Sequence, residues 1–221
     1  FADQYYFAKE QSKWLLVGSI GLIIAAKIDY TRWYRWSLPL LLGTIVLLMA
    51  VFVPGIGTPA LGAHRWINLG FTILQPAELA KFSMIVYLSA WFSKPEKGRL
   101  GAFVLLMAMV VGLVVIEPDL GTAVVILAVS VLMYYYSGAP IVHFLGLVPV
   151  GAIGGIILAF AAPYRLGRLK TFFNPEHDPL GASYQIRQIL LALGSGGIFG
   201  VGLGKSRQKY EYLPEANTDS I

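Results

Sequence analysis

The chain has 221 residues, of which 57% are apolar and 13% charged, and its mean hydropathy is +0.67. A soluble domain normally carries about twice that charged fraction, so the composition indicates an integral membrane protein. The absence of cysteine excludes a disulfide framework and a thiolate metal site. The net charge is +5, but the basic residues lie in gaps between apolar runs and form no stripe, which argues against nucleic acid as a partner.

Six apolar segments approach the roughly 17–25 residues that a transmembrane helix needs. In chain order they are 14–28, 37–53, 77–93, 100–116, 122–136 and 142–162. Their apolar runs are unbroken, which is typical of helices in lipid. The sequence therefore predicts an all-α integral membrane protein, with a polytopic helical bundle and short loops over residues 1–162.

The charges in the short gaps predict the orientation of this bundle. The gaps after the first and third segments hold six basic residues, namely Lys27, Arg32, Arg35, Lys94, Lys97 and Arg99. The gaps at the opposite ends hold only Lys9, Lys13 and Arg65. Because basic loops are retained on the cytoplasmic side, the first set is expected inside and the 54–76 loop outside.

Residues 163–221 are more polar and are expected to form a large extracytoplasmic loop. Residues 184–193 predict a short amphipathic helix, and a glycine-rich stretch follows over 194–204. The run Gly194-Ser195-Gly196-Gly197 would offer backbone N–H groups to a phosphate, or it would permit close packing or a re-entrant turn. The spacing leaves these alternatives open.

Glu78 and Lys81 stand three residues apart near the outer end of the third segment, so they share one helix face. Ionisable groups in a membrane segment are costly and usually face a cavity. The pair is either an interfacial ion pair or part of a polar funnel for an anionic substrate. His64 and Arg65 in the adjoining loop favour the funnel.

Glu117 and Asp119 flank Pro118 between the fourth and fifth segments. Two carboxylates in a tight turn can act as acid and base or bind a divalent cation. Asp119 can equally cap the fifth helix, because aspartate is favoured at the N-cap. We favour the cap.

The end of the chain, LPEANTD over residues 213–219, contains the carboxylates Glu215 and Asp219. Lys205, Arg207 and Lys209 lie just upstream. A carboxylate near fixed cations can be a general base for a sugar hydroxyl, while the cations hold a diphosphate.

Four ordered motifs resemble those of the SEDS family. They are GAHRWI (62–67) with QPAELAK (75–81), EPDLGTA (117–123), the stretch from Asn174-Pro175 through Tyr184-Gln185 to GSGG (194–197), and LPEANTD (213–219). Gln208-Lys209 ahead of Leu-Pro-Glu-Ala is more similar to the division branch, with FtsW and SpoVE, than to the RodA branch.

The resemblance implies a ten-helix enzyme of the bacterial plasma membrane that polymerises lipid II into peptidoglycan strands on the extracytoplasmic face. It also implies a class B penicillin-binding protein and other division proteins as partners. The six segments would be the family's second to seventh helices, so we expect the first helix and the last three to be missing from this chain.

By the same resemblance, Asp219 matches an essential aspartate and would be the general base, and Trp66 matches a functionally important tryptophan. The candidate substrate contacts are Arg65, Glu78, Lys81, Lys205 and Lys209, and the candidate secondary residues are Gln75, Glu117, Asp119 and Glu215. A divalent ion, Mg²⁺ or Mn²⁺, would assist at the diphosphate. Asn217 and Ser220 depart from the family's usual His and Phe beside Asp219.

Two other functions compete with the polymerase. A lipid II flippase would need a polar path through the membrane, for which Glu78 and Lys81 are the plausible lining. A division scaffold would use the helices as binding surfaces and would leave the carboxylates of the outer loop without a role.

Overall fold

The structure is a computed structural model, and it describes residues 6–60, 63–70, 72–94, 98–161, 163–174, 183–197 and 199–202. The chain divides into two compact units. One unit is Val17–Pro149, and the other combines Phe1–Leu16 with Val150–Ile221. The expected boundary between a membrane part and a loop at residue 162 stays a prediction.

Within these ranges the chain forms eight helices. They are α1 Tyr6–Lys27, α2 Tyr30–Ala50, α3 Pro76–Phe92, α4 Leu100–Ile116, α5 Leu120–Tyr136, α6 Ile141–Phe160, α7 Pro163–Phe173 and α8 Tyr184–Gly196. All six apolar segments are helical, and the short amphipathic helix is present as α8. The mostly helical fold is therefore confirmed.

Hydropathy places several helix starts too late, because polar first turns carry no apolar signal. The helix α1 begins at Tyr6 rather than at residue 14, and its early turns contain an ion pair between Lys13 and Glu10 with N–O 3.1 Å. The helix α2 begins at Tyr30 because Asp29 caps it, accepting a 2.8 Å hydrogen bond from the Thr31 N–H.

A small β-sheet corrects the all-α prediction. The strands β1 Gly57–Ala60, β2 Ala63–Asn68 and β3 Ile73–Leu74 form an antiparallel sheet in the order β1-β2-β3. They occupy the gap between α2 and α3, for which the sequence predicts only a loop on the outer face. Strands this short leave little alternating pattern to detect.

The start of β1 packs directly against the end of α2. A Cβ at Gly57 would lie 2.0 Å from the Val51 carbonyl oxygen, so only glycine fits there. The sheet is thereby fixed close to the C-terminal end of α2.

The core of the Val17–Pro149 unit lies between α2, α3, α4 and α5. Its fully buried side chains include Leu48, Met84, Leu88, Phe103 and Val114. An aromatic stack extends this core, since the Phe103 and Tyr134 ring centroids lie 4.5 Å apart at an interplanar angle of 10°. The helix α5 ends at Tyr136, and Gly138 just after it takes a left-handed φ of 82°.

The surface of the helices is strongly apolar. Two described helices, α2 and α6, are long and apolar enough to cross a membrane, and α4 and α5 are shorter apolar helices. The helix α6 has no buried residue, and its exposed side chains include Leu145 and Val150. Such a surface suits lipid rather than water. The count of six spans stays a prediction.

The glycine run 194–197 does not form a separate phosphate loop in the structure. Gly194, Ser195 and Gly196 are the last residues of α8, and Gly197 is its C-cap with φ 58°. The run therefore ends a helix, as glycine commonly does.

Candidate functional site

Polar side chains from β2, the start of α3 and the α4–α5 turn meet in one place. This polar corner consists of Arg65, Gln75, Glu117, Asp119 and Thr122. All five lie in the Val17–Pro149 unit.

Arg65 fastens the sheet to the α4–α5 turn. Its Nε donates to the Glu117 carbonyl at 2.8 Å, and its Nη2 donates to the Pro118 carbonyl at 2.7 Å. Glu117 is the C-cap of α4, so the guanidinium lies where the helix dipole favours a cation. Two of the five N–H donors of the guanidinium are used in this way.

Asp119 joins the starts of two helices. It caps α5 by accepting from the Thr122 N–H at 3.1 Å and from the Thr122 hydroxyl at 2.9 Å. It also accepts from Gln75 Nε2 at 3.0 Å, and Gln75 is the N-cap residue of α3. The cap that we favour for Asp119 is therefore confirmed.

The Glu117 side chain is fully buried beside these groups. Neither carboxylate oxygen has a hydrogen-bond partner within the described part of the chain. Burial, and secondarily the negative charge of Asp119, raise the pKa of Glu117 to about 7, against the opposing influence of Arg65. This carboxyl is therefore partly protonated near neutral pH, unlike an ordinary glutamate.

Glu78 and Lys81 form the ion pair that one of the two interpretations expects. The Lys81 Nζ lies 2.7 Å from the Glu78 carboxylate. The Lys81 side chain is 33% exposed and the Glu78 side chain 56%. Both side chains of the pair are therefore at the protein surface. Lys81 lies six residues along α3 from Gln75, about 9 Å of helix rise from the polar corner. A role as a funnel for an anionic substrate stays a prediction.

Trp66 follows Arg65 on β2, so the two side chains leave opposite faces of the sheet. Its backbone carbonyl accepts from the Thr58 hydroxyl at 2.9 Å, and its side chain is half-buried. The strand therefore directs Arg65 to the α4–α5 turn and presents Trp66 on the other face.

The remaining predicted site residues lie outside the described residues. They are Asp219, Glu215, Lys205 and Lys209. Their roles stay predictions.

The expected Mg²⁺ or Mn²⁺ finds no match among the described side chains. Across the ranges that the structure describes, no three His, Asp or Glu residues group as metal ligands. Glu117 and Asp119 provide two acids, but Asp119 is already engaged by Gln75 and Thr122. We therefore assign no ligand set to a metal.

Sequence reasoning missed two contributors to the corner. Thr122 lies within the EPDLGTA motif and three residues after Asp119, a spacing typical of a capped helix start, so a search for caps would find it. The carbonyls that Arg65 binds leave no trace in the sequence, because any residue supplies a carbonyl.

The chain is similar to proteins of known family. The FtsW/RodA/SpoVE family model, described as "cell cycle protein", matches residues 1–221. The "probable peptidoglycan glycosyltransferase FtsW" of Geobacter sp. (strain M18) is 41% identical to this chain. The match covers 100% of this chain and 62% of that protein. "Stage V sporulation protein E" of Bacillus subtilis (strain 168) is 39% identical with the same coverage, 100% and 62%. The chain thus spans less than two thirds of the length of these curated relatives.

Solved structures with a similar fold belong to the same family. The structure described as "Structural coordination of polymerization and crosslinking by a peptidoglycan synthase complex" has a TM-score of 0.70 and 30% identity, with coverage of 89% of this chain and 60% of that chain. The crystal structure of the Rod shape determining protein RodA of Thermus thermophilus has a TM-score of 0.59 and 27% identity, with coverage of 68% and 51%. The chain belongs to the FtsW/RodA/SpoVE family, the SEDS family of the motif resemblance, whose members are polytopic membrane proteins of bacteria.

Proposed function

We propose that the protein is a peptidoglycan glycosyltransferase, which polymerises lipid II into glycan strands on the outer face of the bacterial plasma membrane. The observation that carries the proposal is the family match over residues 1–221, together with FtsW relatives named for this activity. The relatives named FtsW and stage V sporulation protein E support a role in division or sporulation.

The chemistry joins two sugars and expels a lipid diphosphate. Asp219 takes the proton from the 4-hydroxyl of the acceptor N-acetylglucosamine, and that oxygen attacks the anomeric carbon of the donor sugar. The bond from this carbon to the diphosphate oxygen breaks, and undecaprenyl diphosphate leaves with the electron pair. Lys81, Lys205 and Lys209 are the proposed cations for the negative charge that develops on the leaving group.

The polar corner supports the proposal by holding in place the elements that carry Lys81 and Glu78. Arg65 and Asp119 fasten β2, the α4–α5 turn and the starts of α3 and α5 to one another. Lys81 and Glu78 then project from the early turns of a fixed helix. A site on anchored elements positions a substrate more accurately than a site on free loops does. Arg65 uses two of its five N–H donors in contacts with described residues, and the others are proposed for a diphosphate contact.

A class B penicillin-binding protein is the proposed partner. The similar structure with a TM-score of 0.70 is described as a synthase complex that coordinates polymerization and crosslinking. A polymerase of this kind would supply the strands that its crosslinking partner joins.

The test is glycan synthesis by the full-length protein with its penicillin-binding partner and labelled lipid II. We expect Asp219→Asn to lower the rate by about 10²–10⁴-fold, the usual contribution of a general base. The matched control is Glu211→Gln, another carboxylate of the 163–221 region, which lies outside the four motifs. It should retain the wild-type rate.

Two outcomes would contradict the proposal. Wild-type polymerisation by Asp219→Asn would remove Asp219 from the chemistry. Lipid II translocation in vesicles, with no glycan product from the wild-type protein, would identify a flippase instead.

A further inference from the structure

A groove of about 660 Å³ runs along α3 beside the first turns of α2, within the Val17–Pro149 unit. Its wall on α3 is the stripe Phe82, Ile85, Val86, Ser89, Ala90 and Ser93. These residues recur every three or four positions and so lie on one helix face. From the first to the last, the stripe rises about 16 Å, at about 1.5 Å per residue. This length is close to half of the roughly 30 Å hydrocarbon core, the depth of one leaflet.

The shape of the groove suits a narrow apolar chain. On the α2 side it is walled by aromatic rings, and the Trp33 ring meets the Phe82 ring edge-on with centroids 5.5 Å apart. On the α3 side the small residues Ser89, Ala90 and Ser93 leave space between the helices. A large aromatic wall facing small residues creates an open channel that no side chain of the described residues fills.

The charge of the groove is basic. Arg35 is the charged residue among those that line it. Lys94 lies close by, with its Nζ 5.8 Å from the centroid of the Tyr34 ring, which also lines the groove. The nearby carboxylate of Asp29 caps α2 through Thr31 and keeps its negative charge, so Arg35 and Lys94 outnumber it two to one. An occupant that matches this groove has an apolar chain and an anionic head.

We propose that the groove binds a diacyl phospholipid with an anionic headgroup. One acyl chain lies along the α3 stripe, and the phosphate lies at Arg35. Basic pockets between membrane helices recognise anionic headgroups in this way. The site involves none of the residues assigned to glycan synthesis, so its test does not depend on the proposed activity.

The test measures lipid retention by the full-length protein in detergent. Phosphatidylglycerol and phosphatidylcholine with identical acyl chains are titrated separately, and bound lipid is counted by native mass spectrometry. We expect preferential retention of phosphatidylglycerol. Arg35→Gln should weaken that retention about fivefold, the factor that one basic residue contributes at an anionic membrane surface.

Two further variants distinguish lipid binding in the groove from a general effect of positive charge. Lys27→Gln removes a positive charge from the end of α1 without touching the groove, and it should retain phosphatidylglycerol like the wild type. Ser89→Trp fills the groove at an exposed position and keeps every charge, and it should reduce retention of both lipids.

Equal retention of the two lipids by the wild type would overturn the proposal, and so would equal losses in Arg35→Gln and Lys27→Gln. Displacement of phosphatidylglycerol by undecaprenyl phosphate at equal concentration would also overturn it, because the groove would then hold a polyprenyl chain. If Ser89→Trp fails a thermal-melting check of its fold, Ala90→Leu supplies the groove-filling variant.

Discussion

At the scale of single residues, the raised pKa of the Glu117 carboxyl is a property that the sequence does not reveal. Its position in EPDLGTA shows a carboxylate in a turn, but burial depends on what packs around it. The structure surrounds it completely and leaves both oxygens without a partner in the described ranges. Only three-dimensional packing converts an ordinary glutamate into one that titrates near neutral pH.

Glu117 should make the stability of the protein depend on pH. Its pKa is raised from 4.5 to about 7, so the folded chain binds more protons than the unfolded chain between those values. The free energy of unfolding therefore falls as the pH rises through this window and stays lower above it, by roughly 3 kcal/mol. We expect Glu117→Gln, which cannot ionise, to remove most of this decline in thermal unfolding measured from pH 5 to pH 8.

Glu78→Gln is the control for this experiment, because it removes an exposed carboxylate of the same charge. It should keep the wild-type dependence on pH. An unchanged slope in Glu117→Gln would show that the buried carboxyl does not ionise in this range.

At the scale of elements, the helices follow from hydropathy and the sheet does not. Residues 100–116 match α4 at both ends, because an unbroken apolar run and the helix coincide there. The strands have two to six residues each, and β1 lies against the end of α2 at Gly57. Long-range contacts of this kind do not appear in a local pattern.

The fit of the sheet against α2 should depend on Gly57. In Gly57→Ala the new methyl group meets the Val51 carbonyl at 2.0 Å, so the backbone of β1 or α2 has to move. We expect a loss of about 1–3 kcal/mol in the free energy of unfolding, in the range of overpacked sites. Thermal unfolding and limited proteolysis of the 57–74 region would measure it.

Gly43→Ala is the matched control, because a Cβ at Gly43 meets nothing within 4 Å. Gly43 lies within α2, where alanine is a better helix former than glycine, so this variant should be neutral or slightly stabilising. Equal stability of the two variants would mean that the contact between β1 and α2 is not tight.

At the scale of the whole molecule, composition establishes the membrane class and the motifs establish the family. The apolar surfaces of α2 and α6 and the family match agree with both. The sequence also identifies most members of the polar corner as candidates, since Arg65, Gln75, Glu117 and Asp119 lie in the motifs. Their mutual hydrogen bonds join positions up to 52 residues apart, and such pairings need the fold.

The predicted orientation can be tested with single cysteines, because this chain has none of its own. Asn68 at the end of β2 and Ser137 after α5 are both exposed, and the basic gaps predict that they lie on opposite sides of the membrane. We expect Asn68→Cys to react with a membrane-impermeant maleimide in intact spheroplasts, and Ser137→Cys to react only after permeabilisation. The reverse pattern would invert the topology and place the proposed active face in the cytoplasm.

The fastening of β2 to the α4–α5 turn has a mechanical consequence. Arg65 holds two successive carbonyls, and Asp119 holds donors from two helix starts, so these four pieces of backbone cannot shift one at a time. Because Glu117 lies at this turn, a displacement of β2 would also move the backbone beside the buried carboxyl.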